Sequence, residues 1–117
     1  VKKGLLWCLL LSILVVGCSK TDSKVSELSL NDVIQVFKDK GFEVDPEEKP
    51  MFQMIGADDG VIFTVGNSPV KIYQFSSVND LKKAKSSNEL IKDWPSVGRI
   101  LLESRNDEVL QIFESLK

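Results

Sequence analysis

Histidine is absent from this 117-residue sequence, and cysteine occurs only as Cys8 and Cys18. From residue 19 onward the chain offers neither of the side chains that most often act as catalytic base, thiol nucleophile or transition-metal ligand. No disulfide can form there, so stability has to come from a hydrophobic core, which about 90 residues can build. A basic excess is missing too: 15 Lys and Arg stand against 17 Asp and Glu, a formal charge of −2. That argues against the clustered positive face of a nucleic-acid-binding protein. There is no glycine-rich phosphate cradle, since Gly56, Gly60 and Gly66 are spaced turn glycines. No apolar run reaches the about 20 residues of a spanning helix.

What is present begins with Lys2 and Lys3, then the twelve residues Leu5–Val16, whose only polar side chain is Ser12. A positive start followed by an apolar stretch of this length fits a secretory signal. Val15-Val16-Gly17-Cys18 then resembles the lipobox of bacterial lipoproteins. The small Gly17 lets a membrane-embedded peptidase approach the backbone before the cysteine. The resemblance implies cleavage between Gly17 and Cys18 and a diacylglycerol thioether on Cys18. It also implies attachment to the extracytoplasmic face of the cell membrane. Two acyl chains, at about 0.8 kcal/mol per buried methylene, hold a protein far longer than one.

Of the 15 basic residues, Lys2 and Lys3 leave with the signal, so 13 remain against 17 acids and the mature charge becomes −4. No polybasic cluster supplements the acyl anchor. Ser19–Glu27 is rich in Ser, Lys, Thr and Asp without periodicity and reads as a flexible tether. Its expected root-mean-square reach is roughly 15–18 Å. The organisation read from the sequence is signal peptide 1–17, tether 18–27 carrying lipidated Cys18, and one domain 28–117.

Within that domain, Leu30, Val33, Ile34 and Phe37 fall on one face of a helix that Ser29 or Asn31 caps and Gly41 ends. Ser77 and Asp80 form a capping-box pattern for a second helix, with Leu81, Ala84 and Ile91 inward and Pro95 closing it by Trp94. Asn106 caps a third, with Val109, Ile112, Phe113 and Leu116 as its apolar stripe. Val61–Val65 and Val70–Phe75 read as strands joined through Gly66-Asn67-Ser68-Pro69, with Asp58-Asp59-Gly60 as the turn before them. Arg99–Glu103 reads as a buried strand and Phe42–Val44 as an edge strand. Residues 45–57 fit no single element. The expected fold is α+β, a three- to four-stranded mainly antiparallel sheet with about three helices on one face.

The motifs for chemistry are thin. Ser68-Pro69-Val70-Lys71 matches S-x-x-K in letters, but it enters a strand, and the partner motifs of penicillin-recognising enzymes are missing. Asp58-Asp59 and the acids from Glu43 to Glu48 form no calcium loop, so neither a metal nor a cofactor is expected. Met51-Phe52-Gln53-Met54 suits core packing better than a contact surface. Tyr73 and Trp94 are the candidate partner-binding residues. Both suit the core better than a binding surface, Trp94 beneath the sheet and Tyr73 on its face.

Ile55-Gly56-Ala57-Asp58-Asp59-Gly60, then Val70–Phe75 and a helix rich in Lys and Ala, resembles a group of small uncharacterised lipoproteins of Bacillus-type bacteria. That resemblance implies a Gram-positive setting and transfers no catalytic residue. The expected role is a non-enzymatic domain that binds an envelope protein or a small ligand, or modulates a larger complex. The alternative is a small envelope enzyme or enzyme inhibitor working with carboxylates and lysines.

Overall fold

A computed structural model describes residues 25–117. The signal segment, Gly17, Cys18 and most of the expected tether lie outside the described residues.

Helix α1 spans Leu30–Asp39. Its start is set by a reciprocal cap: Ser29 Oγ accepts from the Asp32 N–H, and the Asp32 carboxylate accepts from the Ser29 N–H. Gly41, at φ 96°, lets the chain leave the helix. The buried stripe is Leu30, Val33, Ile34 and Phe37, as the spacing predicts.

Strands β1 (Asp59–Val65) and β2 (Ser68–Gln74) form the hairpin. Val65 pairs with Ser68, so the loop is only Gly66-Asn67, and Ser68 and Pro69 already belong to β2. Pro69 sits opposite Thr64, where a β2 amide points away from β1. The β2–β4 pairing covers only Lys71–Gln74, so the missing proline N–H breaks no ladder bond. Asp59 and Gly60 also belong to β1 instead of forming a turn.

Helix α2 (Val78–Ser87) starts where expected, with Ser77 Oγ accepting from the Asp80 N–H. It ends well before Trp94. Ser86 and Ser87 hydroxyls donate to the Lys83 carbonyl, and Asn88 turns extended at φ −129°. Ile91 is buried from the following turn rather than from the helix.

The two-residue strand β3 (Ser96–Val97) turns through Gly98 into β4 (Ile100–Glu103), and α3 (Asp107–Glu114) follows, capped by Asn106. The sheet order is β1-β2-β4-β3 with every pairing antiparallel. The fourth strand is thus Ser96–Val97; Phe42–Val44 is irregular chain whose Phe42 and Val44 side chains close one end of the core. Because β2 and β4 run antiparallel, the link between them is no parallel crossover.

The α+β class and the antiparallel sheet match the sequence reading, but the helices divide between two faces. Alternation along β2 sends Val70 and Ile72 to one side and Tyr73 and Phe75 to the other. Both sides are apolar, so both need cover. Helices α1 and α3 seal the first, where Phe37 and Phe113 are wholly buried. Leu81 of α2, Ile91 and Ala57 seal the second against Phe75 and Leu101.

Residues 45–57 serve the sheet edge. The Glu48 carbonyl accepts the outward Ile62 N–H at 2.9 Å, and Lys49 Nζ meets the Asp59 carboxylate at 2.7 Å. Partial burial alone would raise the Asp59 pKa, but the Lys49 and Gly60 hydrogen bonds and the Lys49 charge hold it below its usual value. A 3₁₀ turn, Phe52–Ile55, follows. Residues three apart eclipse in such a turn. Phe52 and Ile55 accordingly lean on the second core, while Met51 and Met54 are 73% and 75% exposed. The expectation that these methionines pack in the core is therefore corrected.

The packed body also reaches further back than Leu28. Val25 and Leu28 rest on the first core. Arg99 Nε donates to the Leu28 carbonyl at 3.2 Å, and the Leu30 N–H donates to Gln74 Oε1 at 2.7 Å. Gly98, at φ 58°, lies directly against the Val25 carbonyl.

Candidate functional site

The β2–β4 register builds the site. Lys71 lies opposite Glu103, and Tyr73 opposite Leu101. Opposed residues share a face, so Lys71 Nζ reaches the Glu103 carboxylate at 3.7 Å. Tyr73 lies diagonal to Glu103, and its hydroxyl donates to the same carboxylate oxygen at 3.4 Å.

Trp94 comes from the segment between α2 and β3. Its ring stacks on Tyr73, with centroids 6.2 Å apart and planes 16° from parallel. Two backbone contacts hold the segment: Lys85 Nζ donates to the Trp94 carbonyl at 2.8 Å, and the Leu102 N–H donates to the Pro95 carbonyl at 3.0 Å. Tyr73 is buried beneath, and Trp94 is half-buried above it. Burial, then the Glu103 charge, then the hydrogen bond to Glu103 push the Tyr73 pKa up to about 12. Tyr73 is therefore a neutral donor at neutral pH.

Trp94 forms one wall of a cleft of about 690 Å³. That volume lies within the range of small-ligand sites. Pro95 and Leu90, the latter 67% exposed, continue the apolar wall beside Trp94. The end of β4 contributes Glu103, the link that follows it Arg105, and α3 Leu110. Lys71 and Asp93 complete the charged rim.

The two residues singled out from the sequence, Tyr73 and Trp94, are thus brought into contact, Trp94 in the cleft and Tyr73 as its support. Lys71 and Glu103 carried no such signal, because cross-strand register decides their meeting, and Asp93 and Arg105 reach the cleft from irregular chain whose path the sequence does not show. Ser68 and Lys71, three apart on a strand, point to opposite faces and do not meet as they would on a helix turn. Gly17 and Cys18 lie outside the described residues. Among the described residues no group of three or more acidic side chains gathers to hold a metal ion, and no helix is long and apolar enough to cross a membrane.

No protein-family model, curated protein or solved structure matches this chain.

Proposed function

We propose that this chain is an envelope lipoprotein, held on the extracytoplasmic face of the cell membrane by acyl chains on Cys18. Its folded body is a non-enzymatic binding domain whose partner enters the Trp94 cleft. The anchoring half rests on Lys2-Lys3, the apolar Leu5–Val16 and the lipobox-like Val15-Val16-Gly17-Cys18. The binding half rests on one observation: a half-buried indole, backed by a buried tyrosine, lines a cleft of ligand size. An aromatic surface held by a partner beneath it is already positioned for contact, which lowers the ordering cost of binding.

Metabolic labelling with a fatty acid tests the anchor. Label is expected in the wild type and in Cys8→Ser, and none in Cys18→Ser, which should also leave the membrane fraction. Equal labelling of Cys18→Ser and wild type would refute the anchoring reading.

A further inference from the structure

We infer that the Trp94 cleft takes a short zwitterionic peptide, with its ammonium toward Asp93, its carboxylate toward Arg105 and an apolar side chain over the indole. The inference rests on the binding reading above and adds the class of ligand.

Three features of the cleft lead to it. The first is the apolar wall. Leu90, Pro95 and Leu110 line the cleft together with Trp94. This is more aliphatic surface than a sugar ring uses, and it suits an apolar side chain. Leu90 is one of only three large hydrophobic residues exposed among the described residues, and it borders this cleft.

The second is the division of charge. Lys71 and Glu103 face each other at 3.7 Å as a surface ion pair. Asp93 and Arg105 have no ion-pair partner among the described residues, yet they border the same space. One free anion and one free cation beside an apolar wall complement a ligand that carries both charges. A lipid chain or an uncharged glycan would leave both unanswered.

The third is rigidity. The Tyr73 hydroxyl and Lys71 both hold Glu103, and Lys85 holds the Trp94 carbonyl. The indole is therefore held in place before a ligand arrives, which lowers the ordering cost of the apolar contact.

The test uses the detergent-solubilised protein with Trp7→Phe, so that Trp94 is the only indole whether or not residues 1–17 are removed. The probe is the tripeptide Ala-Leu-Ala, and Trp94 emission is read against its concentration. A saturable change is expected. Acetylating the amine or amidating the carboxylate should each weaken binding by about tenfold, the scale of one charge-assisted hydrogen bond. Asp93→Asn should weaken the free peptide yet leave the acetylated one unchanged. Arg105→Gln should do the same for the amidated one. Both variants are at exposed positions, and their melts should match the parent. If doubly blocked and free peptides bind alike, or if no peptide changes the emission, the inference is overturned. A response to an N-acetylglucosamine oligomer and not to the peptide overturns it too, while leaving a binding role for the cleft intact. The anchoring reading is decided separately by the labelling experiment.

Discussion

Gly98 is closed in by the carbonyl of Val25: a β-carbon at Gly98 would overlap that oxygen. The residue is also left-handed, at φ 58°. The β3–β4 turn and the start of the packed chain thus form one joint, which Arg99 reinforces through the Leu28 carbonyl.

Gly98→Ala should therefore carry two costs. Left-handed backbone costs a non-glycine residue about 1–2 kcal/mol. Displacing Val25 adds to it. Gly66 provides the control, since its φ of 62° is similar but nothing lies within 4 Å of its added β-carbon. Thermal melts should place Gly98→Ala below Gly66→Ala, with each kcal/mol worth about 4–8 °C in a domain this size. Equal melts would mean that the Val25 contact contributes nothing. By the same reasoning, a chain shortened to Leu28 should melt lower than one starting before Val25.

Phe113 of α3 is fully buried against the sheet. Phe113→Ala should cost about 3–5 kcal/mol, from lost transfer energy and the remaining cavity. Glu114→Ala, which removes only an exposed pair with Lys117, should stay within about 0.5 kcal/mol. Urea denaturation of both variants measures the contrast. Comparable losses would place the α3 stripe outside the core.

Tyr73 is the sole tyrosine, so absorbance at 295 nm reports its ionisation alone. The midpoint should lie near pH 12 rather than 10. The folded state holds this proton more tightly than the unfolded one. Its stabilising contribution is therefore complete below about pH 10 and is lost as pH rises towards the folded value. Glu103→Gln removes the charge and the carboxylate acceptor, so the midpoint should fall while burial keeps it above 10. A wild-type midpoint at 10 would mean a phenol in contact with water.

Met51→Ser and Met54→Ser should both leave stability within about 0.5 kcal/mol, because neither side chain has a core to lose. Phe75→Ala, in the second core, should cost about 3–5 kcal/mol. Destabilisation by either serine would restore the methionines to the interior.

The local devices were legible in the sequence. Ser29, Ser77 and Asn106 each act on an amide three residues ahead, so a cap can be read without the rest of the fold. Long-range choices were harder to see. Tyr73 and Phe75 gave β2 a second apolar face, but only the packing of Leu81 against Phe75 and Leu101 reveals that α2 crosses to that side. Ser96–Val97 is too short to show a period. The helical spacing of Met51 and Met54 was genuine, yet their face looks outward. In the cleft, an aromatic pair could be nominated from composition, while Lys71 and Glu103 meet only through register.

The irregular stretch before β1 has a use beyond the single chain. A bare strand edge is a template on which another chain can add a strand. Here one edge is fenced by Pro50 against Gly60, by the Glu48 carbonyl on Ile62 and by the negative charge of Glu47 and Glu48. The other edge ends in a strand of two residues. The sheet is thereby protected from growing by aggregation. Neighbouring copies would meet as closed bodies rather than as open ladders, and the least regular part of the domain is what keeps them separate.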